Sequence, residues 1–205
     1  MEPLSVGVHS VATLAQFRAG QTIAIWGAGP IGLLCMAVAK ALGASRIVAV
    51  DINQTRLDFA KSYAATDVFT PPASNPGENG AEYSKRCAES LKHSFGIKDR
   101  GPTAIDVVIE ASGAEVSIQT ALFVVRTGGT YVQVRRPIVC ASSSHSHPKV
   151  GMGPSEVTVP ITMLLVKELN VKGSFRYGVS LFSFFTNAPN PAYTSHSSLV
   201  ITNSR

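Results

Sequence analysis

The stretch WGAGPIGLLCMAVAKALGASRIVAVD, residues 26–51, decides how this chain folds. It opens with Gly27, Gly29 and Gly32 in G-x-G-x-x-G spacing, directly after an apolar run, 22–26, that predicts a buried strand. In such a motif the first glycine permits a tight turn, the second lets the backbone approach a ligand, and the third lets a helix pack close to the strand. The spacing therefore predicts a strand that turns sharply into a helix.

The second half of the stretch completes the pattern. A helical run, 33–42, precedes a second apolar strand, 46–50, and that strand ends in Asp51. An acid about 20 residues after the last glycine is typical of a dinucleotide-binding βαβ unit. The helix N-terminus would receive the phosphates, and Asp51 would accept hydrogen bonds from a ribose diol and repel a 2′-phosphate. The sequence thus favours NAD over NADP. The alternative to a dinucleotide-binding site is an ordinary glycine-rich turn in some other α/β domain.

Composition narrows the possible partners. The chain has 205 residues, 45% of them hydrophobic, and a net charge of +5 with Lys and Arg scattered. We expect one domain, no nucleic-acid site and no membrane association, since no basic stripe and no membrane-length apolar run occurs. The N-terminus lacks the pattern of a secretory signal, and the three cysteines show no paired spacing. These features predict a cytoplasmic protein.

Helical and strand patterns alternate along the rest of the chain. Strands separated by helices of this size predict βαβ units and a parallel sheet, with ligands at the carboxyl ends of the strands. The predicted fold class is α/β, a doubly wound parallel sheet of the Rossmann type. Further predicted helices span 2–17, 57–63, 81–95, 114–125 and 160–169, and further predicted strands span 67–69, 104–110, 130–134 and 171–175.

Two segments interrupt this alternation. Residues 135–150 have no hydrophobic period, and their His145 and His147 lack a carboxylate or cysteine at a spacing that would favour a metal site. Residues 179–205 are rich in Ser, Thr, Asn and Pro and read as an irregular tail. The predicted organisation is a connecting helix at 1–18, a dinucleotide-binding domain at 19–178 with an irregular insert at 135–150, and the tail at 179–205.

Several uncommon strings occur together and in order, and they resemble the cofactor domain of the zinc-dependent medium-chain polyol dehydrogenases. Within that family the resemblance is closest to the fungal xylitol dehydrogenases, or D-xylulose reductases. Sorbitol and L-arabinitol dehydrogenases are near relatives. The strings are EPLSVGVHS at 2–10, GAGPIGLL at 27–34, VAVD at 48–51, DVVIEASGAEVSIQTA at 106–121, RTGGTYVQV at 126–134, GMGPSEVTVPI at 151–161 and KELNVKGSFRYG at 167–178.

The resemblance implies an activity and a role for individual residues. The family moves hydride between C2 of a polyol and the nicotinamide of NAD. By resemblance, Glu2 would lie beside the catalytic zinc, and Arg176 and Tyr177 would hold polyol hydroxyls. Arg56 would contact NAD, although from spacing alone a solvated helix cation is about as good a reading. The implied cofactor-binding set is Gly27, Gly29, Ile31, Gly32, Asp51, Arg56, Val134, Gly151, Met152, Ser174, Phe175 and Arg176.

The chain also departs from the family pattern. The family has an N-terminal GroES-like domain that carries most zinc ligands, and this sequence contains no counterpart of it apart from the weak candidate Glu2. We therefore expect an incomplete Rossmann fold that binds NAD without oxidising xylitol by itself, with a homo-oligomer possible. Two other readings stay open, a dinucleotide-binding module without catalysis, and a truncated product that folds poorly.

Overall fold

A six-stranded, wholly parallel sheet forms the centre of the molecule, and its strand order is β3-β2-β1-β4-β5-β6. The structure, a computed structural model, describes residues 2–135 and 157–175. The strands are β1 Thr22–Trp26, β2 Arg46–Val50, β3 Asp67–Phe69, β4 Ile105–Glu110, β5 Val125–Arg135 and β6 Asn170–Phe175. The helices are α1 Glu2–Val8, α2 Pro30–Ala41, α3 Gln54–Tyr63, α4 Gly80–Phe95, α5 Glu115–Val124 and α6 Ile161–Val166. The predicted fold class is confirmed.

The sheet has an apolar core on each face, which explains why its strands are almost continuously hydrophobic. All five residues of β1 are buried. Ile23 and Ile25 face a core that α1 and α2 cover, and Ala24 and Trp26 face a core that α4 and α5 cover. β1 pairs with β2 on one side and β4 on the other, so the strand order changes direction between β1 and β4. Ligands bind at such a point in doubly wound sheets.

Predicted and observed elements agree best in the first half of the chain. β1, β2 and β3 have the predicted bounds, and α2 begins at Pro30, three residues before the predicted start at 33. β5 differs, because it begins at Val125, where the sequence predicts the end of a helix, and not at 130. Gly128 takes φ +70° within this strand, and the pairing with β4 shifts register there. Gly128 and its neighbour Gly129 therefore lie at an irregularity within a strand and not at the end of a helix.

The N-terminal helix packs on the same body as the sheet. α1 continues directly into a π-helical segment, His9–Leu14. Gly7 lies so close to α2 that a Cβ there would stand 3.3 Å from the carbonyl carbon of Leu34. Val6 and Val11 are buried in the core under α2. In place of the predicted helix at 2–17, the structure has an α-helix to Val8 and a π-helix that ends at Leu14.

A buried lysine fastens the last helix to its neighbours. The Lys167 ammonium donates to the carbonyls of Phe123 and Val125 at 2.7 and 2.8 Å and pairs with Asp99 at 2.9 Å. Two of its bonds go to carbonyls at the end of α5 and the start of β5 and the third goes to the Asp99 carboxylate, so the charge also serves as a helix cap. No helix within 2–135 or 157–175 is both long enough and apolar enough to cross a membrane.

Candidate dinucleotide-binding site

The glycine loop, Gly27–Gly29, leaves β1 at the point where the strand order changes direction. Gly27 has φ +91°, a left-handed conformation that costs a glycine little and other residues more. A Cβ there would stand 3.0 Å from the amide nitrogen of Ser112 and 3.1 Å from the carbonyl carbon of Ala111. Glycine is therefore required at this position both by the turn and by the neighbouring loop.

Gly32 lies in the first turn of α2 and touches the glycine loop. A Cβ there would stand 1.8 Å from the Gly27 carbonyl oxygen and 3.0 Å from its carbon. Both are backbone atoms, which cannot move aside as the end of a side chain can. The absence of a side chain at Gly32 lets α2 approach β1 closely, the role that the motif predicts for its third glycine.

The N-terminus of α2 faces the same edge of the sheet. Gly29 is its N-cap in extended conformation, Pro30 follows at the first helical position, and the Gly29 carbonyl accepts from the Leu33 amide at 2.9 Å. The next N–H groups, those of Ile31 and Gly32, belong to the set that has no partner within a helix. Proline has no N–H, so Ile31 carries the first donor of this helix. The terminus offers an anion these donors and the positive end of the dipole.

Asp51 lies beside the glycine loop, as its spacing predicts. Its Oδ2 accepts the Ala28 N–H at 2.7 Å, and its Oδ1 accepts the Asn53 N–H at 2.9 Å. The Gly27 N–H donates to the Val50 carbonyl at 2.8 Å, which ties the loop to the end of β2. The carboxylate is thus fixed at the carboxyl edge between β1 and β2. Each of its oxygens keeps a lone pair for a further donor.

Arg56 stands in the first turn of α3 with an exposed side chain. Its backbone N–H donates to the Asn53 side chain at 3.1 Å, an N-cap that starts the helix directly after Asp51. The main chain of Arg56 therefore has a structural task. The side chain has no ion pair among the residues that the structure describes.

The β4 loop, Ala111–Ala114, forms the opposite wall of the site, and the sequence did not single out the residue that holds it. Glu110, the last residue of β4, is fully buried. Its carboxylate accepts the Ser112 N–H at 3.1 Å, the Gly113 N–H at 2.9 Å and the Gln133 amide at 2.8 Å, and also the Ser112 hydroxyl. Burial raises the pKa of Glu110, and these donors oppose the rise. The sequence signal for this role was an acid, Glu110, at the end of an apolar strand.

The residues predicted for the nicotinamide side are described only in part. Val134 and Phe175 lie at the ends of the neighbouring strands β5 and β6, where Val134 is buried and Phe175 is 58% exposed. Ser174 is buried, and its hydroxyl lies 3.1 Å from that of Ser10. Parallel strands bring these ends to the same edge as the glycine loop. Arg135, the first residue of the predicted insert, is the last residue of β5. Outside the described residues lie Gly151, Met152, Arg176 and Tyr177, together with 136–150 of the insert and the predicted tail.

Glu2, the weak candidate for zinc, is the exposed first residue of α1. Within 2–135 and 157–175, no three His, Cys, Asp or Glu side chains come together in a group that could hold a metal ion. The described residues therefore do not form a zinc site. Cys35 and Cys87 are buried free thiols, and burial raises the pKa of Cys35 to about 12, so neither is a ready thiolate.

Comparison with known proteins agrees with this geometry. Residues 30–137 match the family model described as zinc-binding dehydrogenase. D-xylulose reductase A of Aspergillus niger is 49% identical over 178 residues, which cover 87% of this chain and 42% of that protein. The chain thus spans less than half the length of this relative.

Two solved structures share the fold. L-idonate 5-dehydrogenase of Escherichia coli K-12 is 29% identical with a TM-score of 0.64, and the match covers 91% of this chain and 44% of that one. A zinc-binding dehydrogenase of Sinorhizobium meliloti 1021, solved bound to NADP, is 26% identical with a TM-score of 0.62, and here the shares are 88% and 44%. The resemblance drawn from the sequence is confirmed, and the chain belongs to the zinc-dependent medium-chain dehydrogenase family.

Proposed function

We propose that this chain binds NAD(H) in the crevice between the glycine loop and Asp51. The observation that carries the proposal is the 2.7 Å bond from the Ala28 N–H to the Asp51 carboxylate. It holds an acceptor for a ribose diol beside the turn that receives a pyrophosphate. The N–H groups of Ile31 and Gly32 would donate to the phosphate oxygens, and the lack of a Cβ on Gly27 and Gly32 lets the loop and α2 pack closely enough to form this turn.

The fixed carboxylate favours NAD over NADP. A 2′-phosphate carries between one and two negative charges, and near Asp51 it would meet a like charge in a partly buried place. The Sinorhizobium relative holds NADP, so the fold alone does not decide between the two cofactors. The side chain at position 51 is the feature of this chain that favours NAD.

For the whole protein we propose the oxidation of xylitol to D-xylulose and its reversal, because a D-xylulose reductase is 49% identical. Bound NAD supplies a hydride acceptor. Val134 and Phe175 would flank the nicotinamide, Gly151 and Met152 would line the same side, and Arg176 and Tyr177 would position polyol hydroxyls. The described residues do not fit a zinc ion.

Titration calorimetry of the purified chain with NADH and NADPH tests the cofactor. We expect NADH to bind more tightly than NADPH. Asp51→Asn should weaken NADH binding about tenfold, since a charged hydrogen-bond partner is lost. The same substitution should reduce the difference in affinity between NADH and NADPH. Asp58→Asn is the matched control, because Asp58 is exposed on α3 and bonds only to Gln54 among its described contacts. Equal affinities of Asp51→Asn and the parent chain for NADH would contradict the proposal.

Turnover separates an enzyme from a binding module. The same chain with NAD and zinc is offered xylitol, sorbitol or L-arabinitol, and NADH formation is followed. From the sequence we expect binding of NADH without oxidation of xylitol by these 205 residues. A rate similar to that of a full-length relative would overturn that expectation, and light scattering on the same sample would measure the oligomeric state.

A further inference from the structure

Glu110 is a buried acid that the proposed function does not use. It is 0% exposed, and none of the salt bridges among the described residues includes it. A carboxylate buried without a cation is costly unless hydrogen bonds satisfy it. The hydrogen-bond partners of Glu110 must therefore compensate for the burial of its carboxylate.

Every described partner of the Glu110 carboxylate is a donor. The backbone N–H groups of Ser112 and Gly113, the Ser112 hydroxyl and the Gln133 amide all point to it. The Tyr131 hydroxyl donates to the side-chain amide oxygen Oε1 of Gln133, and this contact orients the NH2 group of the same amide toward Glu110. Because a carboxylate accepts and a protonated acid must also donate, this set of partners suits the ionised form.

The loop that Glu110 holds touches the glycine loop directly. The Ala111 N–H donates to the Trp26 carbonyl at 2.9 Å, and the amide nitrogen of Ser112 lies 3.0 Å from the position of a Cβ on Gly27. A small movement of the β4 loop would therefore displace the glycine loop at Gly27. Gly113 has φ +76°, so the loop makes its turn toward α5 at a residue that tolerates this conformation.

We infer that Glu110 is a positioning residue, which fixes the β4 loop as the second wall of the dinucleotide crevice through its bonds to Ser112 and Gly113. The inference rests on the proposed function, since it gives the loop a task only if a dinucleotide binds. Glu110 itself is buried beneath the loop and acts through it. Gln133 and Tyr131 support the carboxylate from β5.

The test compares Glu110→Gln with Asp106→Asn in the complete 205-residue chain. Gln keeps the size of Glu but replaces one acceptor oxygen by an NH2 group, which would face the N–H donors of the loop. Asp106 lies at the other end of β4, where it accepts the Thr22 N–H at 2.8 Å and pairs with Arg126 at 2.8 Å. The control thus removes a carboxylate from the same strand without touching the crevice. Circular dichroism establishes that both variants fold.

Two readouts are followed with NADH as the probe. The first is the dissociation constant from calorimetry, which we expect to rise about tenfold in Glu110→Gln and to change little in Asp106→Asn. The second is energy transfer to bound NADH from Trp26, the single tryptophan of the chain, which immediately precedes the glycine loop. We expect Glu110→Gln to alter this transfer at saturation, because the cofactor settles against a displaced wall. A general loss of stability would not change the transfer in the saturated complex.

The outcomes separate the inference from the proposed function. If the parent chain binds NADH and Glu110→Gln binds it equally well, or if Asp106→Asn weakens binding as much, the inference is overturned and NAD binding stands. If the parent chain does not bind NADH, both are overturned. Should Glu110→Gln fail to fold, Gln133→Met decides, since it removes one donor to Glu110. Weaker NADH binding by that variant supports the inference, and unchanged binding overturns it.

Discussion

Two loops leave neighbouring parallel strands at the same edge of the sheet, and they keep their shapes by opposite means. The glycine loop after β1 depends on atoms that are absent, because a Cβ on Gly27 or Gly32 would meet backbone. The β4 loop depends on a group that is present, the Glu110 carboxylate with its four donors. Backbone crowding can be relieved only by omitting side chains, whereas a loop with free N–H groups can be fixed by one buried acceptor.

The difference predicts which substitutions each loop tolerates. The glycine loop should be sensitive to any added atom, whatever its chemistry. The β4 loop should be sensitive to a loss of acceptor atoms and indifferent to small changes of volume. The following predictions test this contrast, beginning with the largest effect.

Gly32→Ala should produce the largest loss of stability. Its Cβ would lie 1.8 Å from the Gly27 carbonyl oxygen, so α2 or the glycine loop must move. We expect the free energy of unfolding to fall by about 3 kcal/mol, the upper part of the range for overpacking, and NADH binding to be lost. Urea denaturation measures the first and calorimetry the second.

Gly173→Ala is the matched control for that change. Gly173 lies in β6, and no atom of residues 2–135 or 157–175 lies within 4 Å of where its Cβ would stand, so the same substitution should change stability by less than about 0.5 kcal/mol. Equal losses in the two variants would break the contrast, because the effect would then come from the intrinsic properties of alanine and not from crowding at the glycine loop.

A smaller effect should appear in the dependence of stability on pH. Burial raises the pKa of Glu110 in the folded chain, so the folded state holds that proton more tightly than the unfolded state. The stability of the parent chain relative to Glu110→Gln should therefore fall as pH rises from about 4.3, the ordinary value for Glu, through the raised pKa. Urea denaturation at several pH values measures the slope.

Glu78 provides the opposite slope as a control. Its hydrogen bonds with Arg86 lower the pKa of this glutamate to about 2. Its contribution is complete above about 4.3 and is lost as pH falls toward 2, so parent and Glu78→Gln should converge at low pH. If the Glu110 and Glu78 variants showed slopes of the same sign, the hydrogen bonds to Glu110 would outweigh burial in setting its pKa, and the predicted fall of stability with rising pH would be wrong.

The smallest effect should be a gain. Glu168 follows α6 with φ +49°, and the Leu169 N–H donates to the Leu164 carbonyl at 3.1 Å, the pattern of a helix that ends on a left-handed residue. Glycine avoids the cost of that conformation but loses more backbone entropy on folding, so Glu168→Gly should raise stability by only about 0.5 kcal/mol. Glu168→Ala keeps the Cβ and should not stabilise. A thermal melt compares the two, and a gain in both would show that the carboxylate, and not the backbone, was unfavourable.

The glycine loop was predictable from the sequence for the same reason that it is sensitive to substitution. Only glycine meets the backbone requirements of this loop, so the spacing of Gly27, Gly29 and Gly32 predicts it. Asp51 follows at the expected distance. The β4 loop gives no such signal. An acid at the end of an apolar strand can be exposed, paired or buried. The residues near Glu110 in the sequence do not indicate that Gln133, 23 residues further along the chain, donates to it.

The same limit explains the error in β5. Because glycines that follow a helical pattern usually mark its end, Gly128 and Gly129 predict a helix stop after the run 114–125. The structure places them inside the strand, where a Cβ on Gly129 would stand 2.6 Å from a Val125 methyl carbon, 2.9 Å from the Arg126 carbonyl oxygen and 3.0 Å from the Asp106 carbonyl oxygen of β4. The irregular path of β5 and its pairing with β4 together require glycine there, and the sequence pattern does not reveal that pairing. The roles proposed for Val134, Phe175 and Glu2 also depend on distant groups and stay predictions.

Lys167 has a consequence for the order in which the molecule comes apart. One ammonium group joins the end of α6 to carbonyls at the end of α5 and the start of β5 and to Asp99. Withdrawing it leaves the Phe123 and Val125 carbonyls without this donor at the same time, so the end of α6 separates from α5 and β5 in one step, while Asp99 keeps its pairing with Lys92. We expect α6 and β6 to unfold locally as a single cooperative unit, which the hydrogen bonds of Lys167 stabilise.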